Sequence, residues 1–106
     1  MLELNKENFK AEIEDYKGVA MVDFWASWCG PCQMAGPIVE EVAKKMTDKA
    51  KFAKVNVDDN QEVASRFGVM SIPTFVFFQD GQEVDRKIGL LSEEEITATV
   101  KKLLEK

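Results

Sequence analysis

Val19-Ala20-Met21-Val22-Asp23-Phe24-Trp25-Ala26-Ser27-Trp28-Cys29-Gly30-Pro31-Cys32 decides the fold. From Val19 to Ala26 every residue but Asp23 is apolar, so both faces of a strand here are covered, as in the centre of a sheet with helices on each side. Its end delivers Cys29 and Cys32, the only two cysteines of the chain. Two thiols so close in sequence close a small ring and reopen it with little chain movement. A strand that carries such a pair to the start of a helix is what thiol–disulfide exchange needs.

The helix that follows is predicted to run from the cysteine loop to about Met46. Met34, Ile38, Val42 and Met46 repeat every fourth residue, and Val39 and Ala43 widen the stripe. Pro31 suits the first turn, where a missing N–H costs nothing, and Pro37 falls inside and bends the helix. Cys29 at the helix start meets unsatisfied backbone donors and the positive end of the helix dipole, both of which stabilise a thiolate. Cys32 falls deeper. Cys29 is thus read as the exposed attacking sulfur and Cys32 as the resolving one.

Outward from this centre, Asn5 caps a helix over Lys6–Tyr16, with Phe9, Ile13 and Tyr16 on one face and Gly18 as its stop. A short first strand lies near Leu2–Leu4. Phe52–Val57 alternates as a strand, Asn60–Phe67 is a short helix, and Gly68 ends it. Thr74–Phe78 is a strand, Asp80-Gly81 a tight hairpin turn, and Gln82–Ile88 the returning strand, with Val84 and Ile88 on one face. Ser92 and Glu95 form a capping box for a last helix whose Ile96, Val100, Leu103 and Leu104 face the core. The order β-α-β-α-β-α-β-β-α implies an α/β fold: a mostly parallel sheet covered on both faces, finished by one antiparallel hairpin.

At 106 residues the chain suits one domain, 1–106, long enough to build a core without disulfide staples or metals. Its net charge is −5, from 19 acidic and 14 basic side chains, and it has no basic cluster, which argues against nucleic acid. No apolar run reaches membrane-spanning length. Met1–Lys6 has no signal-peptide pattern, so a cytosolic location is expected, unless a mature exported chain has lost its signal. Two other readings of the cysteines stay open: a structural bridge, though so short a ring constrains the unfolded chain weakly, and a metal shared between two chains, since two cysteines and no histidine do not complete a usual zinc set.

Asp23-Phe24-Trp25-Ala26-x-Trp28-Cys29-Gly30-Pro31-Cys32, with Ser71-Ile72-Pro73-Thr74 and Gly89, resembles the thioredoxin family over essentially the whole chain. The resemblance implies a central mixed sheet of four to five strands flanked by four helices. It implies a redox protein with protein-disulfide reductase activity, an electron carrier cycling between the Cys29/Cys32 dithiol and disulfide. Asp23 would exchange the proton of the buried cysteine, with a carboxyl pKa raised by burial. Lys54, on the next strand, would pair with Asp23; the plainer reading is a lysine reaching solvent. Pro73 would be a cis-proline that keeps backbone open beside Cys29, and Trp28, Gly30, Pro31, Ile72, Pro73 and Gly89 would contact substrate. Trp25 reads as packing, and Met70 as either groove or core.

The implied partners are disulfide-containing proteins and a thioredoxin reductase, fed by NADPH or ferredoxin, acting on a monomer. The implied cofactor set is empty apart from the Cys29–Cys32 disulfide: no Gly-rich nucleotide motif provides for flavin or nicotinamide, and no metal is expected. The chain departs from the pattern at Gln33, where many members carry lysine, and at Ala35-Gly36, where bulkier residues are usual. An altered choice of partners follows from both. Two rivals are an oxidase or isomerase of the same fold, which more often has histidine where Pro31 stands, and a scaffold that uses the surface without the chemistry.

Overall fold

The computed structural model describes residues 1–105. The strands are β1 (Leu2–Glu3), β2 (Val19–Trp25), β3 (Lys51–Asn56), β4 (Thr74–Gln79) and β5 (Gln82–Ile88), and the α-helices are α1 (Gly30–Met46), α2 (Gln61–Arg66) and α3 (Glu93–Leu104). They build one five-stranded sheet in the order β1-β3-β2-β4-β5, with β2 at its centre. β1 and β2 both pair with β3 in parallel, whereas β4 runs antiparallel to both β2 and β5. The sheet is therefore more mixed than the expected parallel sheet with a single antiparallel hairpin, because β4 already enters against β2.

Period-two alternation along β2 divides the core in two. Val19 and Met21 pack with Val39 and Val42 of α1, Phe75 and Phe77 of β4, and Ile96 and Val100 of α3. Ala20, Val22 and Phe24 face the other way, against Phe9, Ile13, Val63, Ala64, Val76 and Phe78. Asp23 shares the parity of Val19 and Met21, so it belongs to the side covered by α1.

The N-terminal helix differs from expectation. Asn5 does cap, its Oδ1 accepting from the Glu7 and Asn8 amides, but only turns follow. The regular part is a π-helix, Lys10–Glu14, in which the Asp15 N–H reaches back to the Lys10 carbonyl. Four helical segments thus flank the sheet, one of them a π turn.

Three apolar residues also stand outside their expected places. Met34 and Leu104 are exposed, each at the margin of its helix's buried stripe, and Ile38 is only partly buried. Val84 and Ile88 are exposed: β5 is an edge strand with no buried residue and no member in either core cluster. The hairpin turn forms as read: Asp80 and Gly81 both have positive φ, 52° and 86°, the backbone of a two-residue turn matched to strand twist. Ser92 and Glu95 close a reciprocal capping box on α3.

Candidate functional site

Cys29 is the N-cap residue of α1, and Pro31 occupies the first turn. The backbone of Cys29 is extended while that of Gly30 is helical, so the Cys29 side chain turns back over the helix end, and its Sγ accepts a hydrogen bond from the Cys32 N–H at 3.1 Å. The two cysteines are joined as a disulfide with Cα atoms 5.2 Å apart. A sulfur held there sits against an amide with no partner within the helix and against the positive helix end, which favours its anionic form once the bridge opens.

Exposure does not separate the two sulfurs as expected. Cys29 is 5% exposed and Cys32 4%, because each covers the other and both pack with Ala26, Trp25, Val57 and Ile72. What separates them is their surroundings. Cys29 Sγ lies 3.8 Å from the Ile72 carbonyl oxygen, on the side of the Ile72-Pro73 loop. Cys32 instead lines a partly open cavity of about 120 Å³ together with Asp23, Trp25, Gly36, Lys54, Met1 and Glu40. A larger open groove of about 710 Å³, lined by Met1, Tyr16, Lys51 and Phe52 among others, contains neither cysteine.

Asp23 is buried in the middle of β2, and its Oδ1 makes no hydrogen bond with any described residue. Burial disfavours its charge and pushes its pKa up to about 7, against the opposing pull of the Lys54 ammonium. Lys54 is the in-register neighbour of Asp23 on β3. Its ammonium forms no ion pair within 4.0 Å among the described residues and lies 5.1 Å from the Trp25 ring centroid. A carboxyl group that titrates near neutrality, beside Cys32 and out of bulk water, has the properties of a proton acceptor for that thiol.

Two loops stand on the Cys29 side of the pair. The Ile72-Pro73 bond is cis, and the Pro73 carbonyl accepts from the Gly89 N–H at 2.8 Å, which ties the loop to the end of β5. Gly89 has φ +97°, a backbone that favours glycine. Trp28 is 69% exposed beside the cysteines, whereas Trp25 is half-buried and packs. Gly30 and Pro31 are exposed at the helix start. Met70, 93% exposed, is no core residue.

Two contacts have no signal in the sequence. The Trp28 indole N–H donates to Asp58 Oδ2 at 2.8 Å, a pairing across the gap between two loops. The Gln33 amide donates to the Ser27 carbonyl and so braces the cysteine loop from the first turn of α1. Asp58 follows β3 in a polar stretch, Asp58-Asp59-Asn60, that reads as an ordinary solvated turn; only the tertiary position of Trp28 distinguishes it. Among the described residues there is no cluster of three or more potential metal ligands. No helix is long and apolar enough to cross a membrane.

Comparison with known proteins gives a consistent picture. The Thioredoxin family model matches residues 1–102. Thioredoxin 1 of Synechococcus elongatus is 45% identical over 96 residues, covering 91% of this chain and 90% of that protein. Thioredoxin of Bacillus subtilis is 45% identical over 98 residues, 92% of each chain. Thioredoxin 2 of Chlorobaculum tepidum is 48% identical over 89 residues, 84% of this chain and 82% of its own length.

Proposed function

The chain belongs to the thioredoxin family and is a thiol–disulfide oxidoreductase, and from that premise we propose that it works as a protein-disulfide reductase with Cys29 as nucleophile and Cys32 as resolving thiol. In the dithiol state the Cys29 thiolate attacks one sulfur of a substrate disulfide. A Cys29–substrate bond forms, the substrate disulfide breaks, and the departing substrate sulfur carries away the electron pair and takes a proton. The Asp23 carboxylate then accepts the Cys32 proton. The Cys32 thiolate attacks Cys29 Sγ, the mixed disulfide breaks, and the second substrate thiol leaves with the Cys29–Cys32 bridge closed behind it.

One observation carries this division of labour: Cys29 Sγ faces the Ile72-Pro73 loop, whereas Cys32 faces the cavity that contains Asp23. Trp28, Gly30, Pro31, Ile72, Pro73 and Gly89 form the substrate side of the site. A substrate segment lying along the 72–73 backbone would place its disulfide against Cys29, as an added strand would lie. Lys54 acts on Asp23 through its charge rather than by direct pairing. We place this activity in the cytosol, in a monomer recycled by a thioredoxin reductase that draws on NADPH or ferredoxin.

Insulin disulfide reduction driven by dithiothreitol tests the reading. Wild-type protein should precipitate the freed insulin chain rapidly, and Cys29→Ser should do no better than dithiothreitol alone. Turnover that survives Cys29→Ser would refute the nucleophile; a folded wild-type protein that leaves insulin intact would refute the reductase function.

A further inference from the structure

Five methionines are distributed unevenly. Met21 and Met46 are buried in the core, whereas Met70 and Met34 are 93% and 63% exposed. Met1 is 40% exposed and lines the Cys32 cavity, whereas Met70 and Met34 belong to the two segments that meet at the cysteine pair, the loop before Thr74 and the start of α1. Met70 stands two residues before Ile72, whose carbonyl contacts Cys29 Sγ, and Met34 stands three and four residues after Pro31 and Gly30, on their exposed face of α1. Together with Trp28 and the partly buried Ile72 they put apolar surface on the side where a substrate must dock. Thioethers of this exposure lie open to two-electron oxidants, and the sulfoxide turns an adaptable apolar side chain into a polar one.

We propose that Met70 and Met34 form an oxidant-sensitive pair on the docking face, where a hydroperoxide converts each thioether to its sulfoxide and weakens substrate binding. This inference rests on the reductase reading above. In the step, the thioether sulfur attacks the distal peroxide oxygen, an S–O bond forms and the O–O bond breaks. Sulfur loses two electrons, the peroxide is reduced, and the departing oxygen takes a proton to leave as water or alcohol. The Cys29–Cys32 bridge protects the other reactive sulfurs meanwhile, since a disulfide offers no thiolate to the oxidant. The modification therefore falls on the resting oxidised protein and persists when the dithiol is regenerated.

The experiment treats the disulfide form with graded hydrogen peroxide, maps sulfoxides by peptide mass spectrometry, removes the oxidant and assays insulin reduction. Met70 should oxidise first and Met34 next, with the buried Met21 and Met46 intact. The KM for insulin should rise about threefold to tenfold, the scale of burying an unpaired polar group at an interface, with kcat little changed. A Met34→Leu/Met70→Leu variant, compared with its own untreated activity, should lose nothing on treatment. Sulfoxides at both positions with an unchanged KM would overturn the proposal, as would the same loss in the double variant or earlier oxidation of the core methionines. Failure of untreated protein to reduce insulin would strike the reductase reading first, and the docking role of the pair with it.

Discussion

Asp23 and Lys54 stand side by side in register on β2 and β3, yet the ammonium lies against the Trp25 ring and the carboxyl group keeps one oxygen without a hydrogen-bond partner among the described residues. The charge that could neutralise Asp23 is close enough to pull on its proton but not to hold its carboxylate. Burial therefore wins, and the folded protein binds a proton that an unfolded chain would release.

Asp23 makes stability fall as pH rises. The carboxyl group titrates at about 7 when folded, against an ordinary value of 3.8. Between those values the folded state holds the extra proton, so unfolding becomes easier with each step upward. The loss amounts to roughly 4 kcal/mol by the alkaline end of the window and is absent below the unfolded value. Asp23→Asn should flatten this dependence and be the more stable protein at pH 8. Urea unfolding of both disulfide forms at pH 5 and pH 8 decides it; parallel losses in the two proteins would contradict the assignment.

Cys32→Ser should stop the reaction halfway. With Cys29 intact, the first attack proceeds and the mixed disulfide has no internal thiol to break it. Mass spectrometry of the variant incubated with a disulfide-containing protein should show a stoichiometric covalent adduct at Cys29. Adducts forming equally in Cys29→Ser would reverse the roles assigned to the two sulfurs.

Asp58→Ala releases the Trp28 indole from its 2.8 Å hydrogen bond. The site is solvent-exposed, so the stability cost should be about 1 kcal/mol or less. Trp28 nevertheless forms a wall of the proposed groove, and freeing it should raise the KM for insulin a few-fold while kcat holds. Tryptophan fluorescence reports the change in indole mobility. An unaltered KM with altered fluorescence would remove Trp28 from the docking surface.

Gly81→Ala should destabilise the fold more than Gly68→Ala. Both glycines have positive φ, 86° and 62°, but a Cβ at Gly81 would collide with the Glu14 carbonyl, whereas one at Gly68 meets nothing within 4 Å. The backbone penalty alone is about 1–2 kcal/mol, and the clash adds to it at Gly81. Equal midpoints in denaturant for the two variants would mean that the hairpin turn and the π-helix shift apart without cost.

Gln33→Lys should speed encounters with acidic substrates, since it places a positive charge beside the cysteines of an otherwise acidic protein. The gain should shrink as ionic strength rises. Stopped-flow association at low and high salt checks this, and a salt-independent gain would point to the lost brace on the Ser27 carbonyl instead.

Much of this architecture is written locally. The unbroken apolar run of β2 marks a central strand because only a position with cover on both faces tolerates it. Ser92 and Glu95 announce α3 because a reciprocal cap depends on their spacing alone. What stayed hidden depends on tertiary contacts. The i→i−4 periodicity of Phe9 and Ile13 suits an α-helix, and nothing in it foretells that the segment settles as a π turn under Phe67 and Phe78. Met34 continues a four-residue spacing with Ile38, but the buried stripe of α1 runs through Cys32, Ala35, Val39, Val42 and Met46, and Met34 lies off it. The cysteines and Asp23 were visible as residue types in unusual company; the Trp28–Asp58 pairing and the placement of Lys54 over Trp25 join chain segments that no short-range pattern relates.

The hydrogen bond from the Cys32 amide to Cys29 Sγ has a consequence for the speed of the switch. It is already made in the bridged state, to the atom that becomes charged when the bridge opens. The helix end is thus arranged in advance for a charge it does not yet hold, and neither redox state has to rebuild the cap. Such a site has little reorganisation to perform in either direction. Low reorganisation speeds exchange in both directions, while the direction is set by the potential of each partner relative to that of the Cys29–Cys32 pair.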